Sequence, residues 1–409
     1  MFYGSQEGVF RIFPARHWDD DISFDPRTRP WYVAASSGPK SVVLILDTSI
    51  TMDGAKFKTL QDAAIRVIET LTVLDRVAVI AFNNTSHVFA KRTDGGFVMM
   101  DATVETKASL VESIKALVPS GETNFYDAFN VTFETMTRTF AEESRDFCNS
   151  AILFFTDDEI NQLEEENKAA VFNLVNVTLN ALSRQKPVLF FTFSISEGDQ
   201  NDREFLRKLT CLAEFGVWSE IKSSEDQSFD GLNSYYRLFA LGIGTKEDKA
   251  FVTLVEPYEF ITGGVIGTTL AAPVYHLSTT GGPPLFLGVV GINLPLIAME
   301  KILEQEDVTA YLKGKLIYST ASCPNLNLSQ CELDTIRGLL AHCSSNCSGN
   351  EDISDQATQC PNINESAYPK SLWCNRLFQF DPYKVRNCIL LGRKLKPRFV
   401  SHFHNYSCS

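Results

Sequence analysis

Histidine is scarce in this chain, and the common catalytic signatures are missing. Six histidines occur in 409 residues, none in a His-Glu-x-x-His pattern, and there is no Gly-x-Ser-x-Gly elbow, P-loop or dinucleotide fingerprint. An enzyme needs a nucleophile with its base, or a metal with an activated water, and the sequence assembles neither. The one close histidine pair, His402-Phe403-His404, lacks a third ligand nearby and reads as tail sequence rather than as a zinc site. Lys/Arg-rich runs are also absent. The net charge of −13 and a pI near 5.0 argue against a nucleic-acid surface and suit solubility and cation attraction. No stretch of about 18 apolar residues is present to span a membrane, and Met1-Phe2-Tyr3-Gly4-Ser5 has neither the basic nor the apolar region of a leader.

Cysteine is not lacking, but its distribution is uneven. Eight of the ten cysteines fall between Cys323 and Cys408, in a tail rich in Asn, Ser and Pro; Cys148 and Cys211 stand apart. Paired Cys-x-x-Cys motifs with zinc-ligand spacing do not occur, so disulfides are the better reading. Asn-x-Ser/Thr sequons at Asn83, Asn84, Asn130, Asn176, Asn327, Asn346, Asn364 and Asn405 agree with an exported, glycosylated, cell-surface chain, the last four being the more persuasive because they lie inside the cysteine-rich tail. An exported chain without a leader or an anchor is expected to be a fragment of a longer, membrane-associated protein.

The length allows more than one core. Residues 1–33 are aromatic and read as extended, with no helical period. From residue 41 apolar runs of buried-parallel-strand type (42–46, 77–82, 152–155, 188–194 and 217–221) alternate with helical patterns, among them 107–118, 160–183 and 205–215. Phe125, Phe129, Phe133, Met136 and Phe140 recur at helical spacing and read as a core stripe. This predicts a doubly wound parallel sheet with helices on both faces over residues 40–240. Beyond it, strand-rich segments at 251–254, 265–274 and 285–292, punctuated by Gly263-Gly264 and Gly281-Gly282, predict an antiparallel sheet within a mixed α+β unit over 241–320, with a helix from about 297 to 305. The cysteine-rich segment occupies 321–409.

Three strings along the parallel unit carry oxygen ligands: Asp47-Thr48-Ser49-Ile50-Thr51, Thr123 within Gly121-Glu122-Thr123-Asn124, and Asp157 in Phe154-Phe155-Thr156-Asp157. Any one of them alone would serve as a helix cap or turn. Together, Asp47, Ser49, Thr51, Thr123 and Asp157 offer two carboxylates and three hydroxyls where apolar strands or turns run into polar loops, the donor set of a hard divalent cation, Ca²⁺ or Mg²⁺. Five oxygens leave room for water or for an acidic side chain of a partner protein. Asp157-Asp158-Glu159 could imitate a hydrolase acidic cluster, but its place after an apolar strand fits metal binding better.

This ligand set resembles the metal-ion-dependent adhesion site of von Willebrand factor A domains, with Thr51 in place of the usual Ser, Ile50 in place of a common Gly, and Asp158 in place of a Gly. The flanks Gly8-Val9-Phe10-Arg11-Ile12-Phe13-Pro14 and Asp25-Pro26-Arg27-Thr28-Arg29-Pro30-Trp31-Tyr32, with Val255-Glu256-Pro257-Tyr258 and Leu287-Gly288-Val289-Val290-Gly291-Ile292-Asn293 downstream, resemble the alpha-2/delta auxiliary subunits of voltage-gated calcium channels and their relatives with von Willebrand A and Cache domains. The resemblance implies an A domain inserted into a Cache-like domain, so that residues 1–33 pack with the segment after 240. It implies a non-enzymatic protein whose partner is a calcium-channel pore subunit. It also implies a Cache site for a small amino-acid-like ligand at Arg29, Trp31, Tyr32, Tyr258 and Asn293, a guanidinium being suited to a carboxylate. Packing of the insertion junction is an equal reading of Arg29, Trp31 and Tyr32. Asn293 and Phe260 stand where acidic residues hold a ligand's ammonium group, and Phe24 where a ring hydroxyl is found.

Overall fold

The computed structural model describes residues 1–5, 8–14, 24–142, 149–157, 165–183, 188–196, 204–213, 215–222, 235, 252–255, 257–260, 264–276 and 285–303. The cysteine-rich segment, its four sequons, Cys148 and Asp158 lie outside these residues.

Two short strands, β1 (Phe2–Ser5) and β2 (Phe10–Ile12), precede a 3₁₀ turn (Pro26–Thr28) and helix α1 (Pro30–Ser37). Strands and helices then alternate: β3 (Lys40–Asp47), α2 (Gly54–Thr70), β4 (Arg76–Phe82), the short strands β5 (Ser86–Phe89), β6 (Lys91–Thr93), β7 (Gly96–Val98) and β8 (Met100–Asp101), then α3 (Val104–Lys115), α4 (Phe125–Glu142), β9 (Asn149–Thr156), α5 (Glu165–Ser183), β10 (Val188–Ser196), α6 (Glu204–Thr210) and β11 (Phe215–Lys222). The final described elements are β12 (Thr253–Leu254), β13 (Tyr258–Glu259), β14 (Ile266–His276), β15 (Leu285–Pro295) and α7 (Leu296–Leu303).

The larger sheet runs β11-β10-β9-β3-β4-β5. Its five long strands are parallel, while β5 and β8 pair antiparallel with β4. Every residue of β3, β9 and β10 is buried. Such strands read as unbroken apolar runs because neither face needs polar residues. Winding reverses at β3: the chain moves outward one way to β4 and then returns past β3 to β9. Right-handed crossovers therefore put helices on both faces. The α4 stripe fills one side of this core, with Phe129 5.0 Å from Phe154 and 6.0 Å from Phe190 between ring centroids.

The smaller sheet is antiparallel, in the order β12-β14-β15-β1-β2 with β13 also on β14. Phe2 is paired with Gly291, so the first described strand lies beside the last described one. At Gly4 a Cβ atom would come within 2.9 Å of both Trp31 and Pro26, so a bare backbone is what lets the indole lie on β1. Helix α1 connects the two cores: Trp31, Tyr32, Ala34 and Ala35 pack with Phe286 and Val289 of the smaller sheet, and Val33 packs in the larger cluster.

Helix α1 is a correction to the extended reading of residues 1–33. Pro30 occupies its first turn, where the missing N–H is no loss. Residues Trp31 to Ser37 are all buried, so there is no polar face to produce a helical period. Element boundaries also move. Helix α3 starts at Val104 because the Thr103 hydroxyl accepts from Thr106 N at 3.2 Å. Helix α6 ends at Thr210, not near 215, where β11 begins; its backbone approaches so closely that a Cβ on Gly216 would lie 2.0 Å from Thr210 O.

Candidate metal centre

In an open α/β sheet, ligands gather beyond the carboxyl ends of the strands where the winding reverses. Here that point lies between β3 and β9. Leu46 is in register with Phe155, which sets Asp47 beside Thr156 and leaves Asp157 as the first residue past β9.

The loop after β3 is held firmly. Thr48 donates its N–H and its hydroxyl to Phe82 O at 2.8 and 2.9 Å, and Met52 N closes a turn on Ser49 O at 3.1 Å. The loop carrying Thr123 is tied to it by Ser120 N to Thr48 O at 2.8 Å and Ile50 N to Gly121 O at 3.0 Å. Gly121 has φ +75°, and a Cβ there would strike Asn84 Oδ1, the same oxygen that accepts from Glu122 N at 2.9 Å. Asn83 contributes O to Asn124 N and Nδ2 to Ser120 Oγ. The amides of Asn83 and Asn84, which the sequence marks as sequons, thus hold this loop.

Four of the five candidate ligands form one hydrogen-bonded chain. Ser49 N donates to Asp47 Oδ1 at 2.9 Å, Ser49 Oγ and Thr51 Oγ1 share a bond of 3.0 Å, and Thr51 Oγ1 donates to Asp157 Oδ1 at 3.3 Å. Thr123 is half-buried on its tethered loop, and among the described residues its side chain has no hydrogen bond to the other four. Two participants escaped the sequence reading. The Thr156 hydroxyl donates to Asp47 Oδ2 at 2.7 Å, and Lys56 Nζ donates to Asp157 Oδ2 at 3.0 Å and to Thr51 O at 3.1 Å. A basic residue in the first turn of the helix after the Asp-x-Ser-x-Thr string was the available signal for Lys56.

Asp47 is 1% exposed. Burial pushes its carboxyl up to about 6, hydrogen bonds from Ser49 and Thr156 pull it back, and the nearby Asp157 charge adds to the rise. A carboxylate so placed is short of positive charge. With Ser49, Thr51 and Asp157, and with Thr123 on the loop tied to Thr48 and Ile50, all the candidate donors are oxygen, which fits a hard divalent cation.

A second candidate site lies at the smaller sheet. A cavity of about 400 Å³ is lined by Arg29, Trp31, Tyr258 and Asn293, together with Phe24 and Phe260. Tyr32 is not brought to it; the ring is 3% exposed and packs edge-on to Trp31 and Phe286. The Arg29 guanidinium lies 4.5 Å over the Phe24 ring, and among the described residues its buried Nε has no hydrogen-bond partner. Tyr258 Oη shares a 2.6 Å bond with Thr269 Oγ1, which donates to Asn293 Oδ1 at 2.8 Å.

Residues 41–237 match the von Willebrand factor type A domain family. Human voltage-dependent calcium channel subunit alpha-2/delta-2 is 28% identical over 312 residues, covering 73% of this chain and 25% of that protein. Rat subunit alpha-2/delta-3 is 25% identical over 313 residues, covering 74% of this chain and 27% of that protein. The chain therefore spans about a quarter of the length of these relatives. Among solved structures, a von Willebrand factor type A protein from Catenulispora acidiphila is similar at 16% identity and a TM-score of 0.38, covering 63% of this chain and 55% of that one. Both resemblances drawn from the residues, to von Willebrand A domains and to alpha-2/delta subunits, recur in these matches.

Proposed function

We propose that this chain, built around a von Willebrand factor type A domain, is the extracellular part of a non-enzymatic accessory or adhesion protein that captures its partner through a divalent cation held by Asp47, Ser49, Thr51, Thr123 and Asp157. The observation that carries the reading is the hydrogen-bonded chain from Asp47 through Ser49 and Thr51 to Asp157 at the point where the sheet reverses its winding. Hydroxyls and carboxylates already aligned by their own hydrogen bonds lose little freedom on coordinating an ion. A bound Ca²⁺ or Mg²⁺ would supply a positive centre for a partner's carboxylate. Ile50, 66% exposed on the same loop, offers apolar surface at the rim of the site. The relatives are named as subunits of voltage-dependent calcium channels, and by that similarity the partner is a channel pore subunit. Among the described residues no helix is long and apolar enough to cross a membrane. Partner capture by the full chain should be lost in chelator and in the Asp47→Ala/Ser49→Ala double variant; capture that persists in chelator rejects the proposal.

The cavity supports a second reading, in which the smaller-sheet unit is a Cache-like sensor for a small amino-acid-like molecule. Arg29 lines this aromatic cavity, and a guanidinium there, with its Nε unbonded among the described residues, is suited to a ligand carboxylate. Thermal-shift screening with amino acids should give saturable stabilisation that Arg29→Ala removes. Silence across the panel rejects it.

A further inference from the structure

Lys56 is the third residue of α2. In the first turn of a helix an ammonium faces the positive end of the dipole, so the helix itself gives it no reason to be there. Its nitrogen instead reaches two atoms of the candidate cation site, Asp157 Oδ2 at 3.0 Å and Thr51 O at 3.1 Å. The pair is largely closed to water, with the two side chains 13% and 2% exposed. Lys58, two residues further along the same helix, is exposed.

The charges then decide what the site can do. Within the described hydrogen-bonded set, Asp47 and Asp157 contribute two negative charges, and Lys56 returns one positive charge. Loaded with a divalent cation, the group carries a net charge of one positive unit instead of zero, and that remainder is available to a carboxylate arriving from outside. The same ammonium repels the cation and occupies one oxygen of Asp157, so the ion is held less tightly than five oxygens alone would hold it. We infer that Lys56 is a specificity-determining counter-charge, which weakens the grip of the site on its divalent ion and keeps the loaded site attractive to an acidic partner. The inference rests on the cation reading above.

The test is Mg²⁺ titration of the full chain by calorimetry, with melting temperatures measured in EDTA and in saturating Mg²⁺, for the wild type, Lys56→Met, Lys56→Arg and, as a control for loss of a nearby exposed charge, Lys58→Met. Removing the ammonium takes the Lys56 charge away from the buried Asp157 carboxylate, and a cation then restores positive charge there. Lys56→Met should bind Mg²⁺ at least tenfold more tightly, melt lower than the wild type in EDTA and recover a larger increment with Mg²⁺. Lys56→Arg and Lys58→Met should match the wild type in affinity. A merely structural lysine would lower the melting point in both conditions and leave the affinity alone, and that result overturns the inference. Absence of Mg²⁺ binding in every variant overturns the cation reading as well, so the two failures are distinguishable.

Discussion

Asp47→Asn separates the energetic burden of a buried charge from its use. Burial holds the Asp47 carboxyl at about 6, against about 3.9 for an aspartate in an unfolded chain. At about 1.36 kcal/mol per pH unit, keeping this group ionised in the fold costs about 3 kcal/mol at neutral pH when no cation is present. The sign follows from the raised value. The folded protein binds the proton more tightly, so this group's contribution to stability is full below about pH 4, declines as pH rises towards 6, and is gone at neutrality. The amide keeps an acceptor for Ser49 N, and the Thr156 hydroxyl, now 2.7 Å from Asp47 Oδ2, can rotate to meet the new NH₂ group.

In EDTA at pH 7 the Asp47→Asn variant should therefore be more stable than the wild type, by at most about 3 kcal/mol, or roughly 6–12 °C in melting temperature for a domain of about 200 residues. The advantage should shrink to nothing as the pH is lowered to about 4, since both forms are then uncharged at this position. In saturating Mg²⁺ at pH 7 the order should reverse, because only the wild type has the carboxylate that the ion needs. Mg²⁺ affinity of the wild type should fall below pH 6, with about one proton released per ion bound. Chemical denaturation at the two pH values, with and without the ion, measures the stabilities, and calorimetry across pH measures the affinity and the proton release. An Asp47→Asn variant less stable than the wild type in neutral EDTA, or one still stabilised by Mg²⁺, would refute the reasoning.

Three further outcomes are expected. Thr156→Val removes a donor from Asp47 Oδ2, which makes the charge harder to hold, so the pH midpoint of Mg²⁺ binding should move upwards; an unchanged midpoint in calorimetry at several pH values would show that the hydroxyl is not needed. Lys40, fully buried at the opposite end of β3, contacts both oxygens of Asp75 at 3.3 Å and Ser37 Oγ at 2.9 Å. Lys40→Met should lower stability by about 3–5 kcal/mol in denaturant titration with Mg²⁺ affinity unchanged, since β3 separates the two sites by about 23 Å. Phe129→Ala empties a fully buried position among Phe133, Phe154 and Phe190 and should cost about 3–5 kcal/mol by the same measurement.

The parallel sheet is legible in the sequence because strands buried on both faces carry their own signature: residues 42–46 and 152–155 are apolar without interruption and end in Asp47 and in Thr156-Asp157. The α4 stripe is legible because one face of that helix is solvated and the other is not. Helix α1 is hidden for the converse reason, since it lies between two cores and has residues 31–37 all buried. Strands β5 to β8 are two to four residues each, half-exposed and mixed in polarity, so they carry too little period to register. At the candidate site the Asp-x-Ser-x-Thr string announces itself because its residues are close together in sequence. Lys56 and Asp157 are 101 positions apart, and no local pattern connects them. Only the return of the chain from β4 past β3 to β9 brings the ammonium and the carboxylate together. The sequence therefore names oxygens that suit a cation, whereas the charge balance that decides how tightly they would hold it becomes visible only once the sheet order is known.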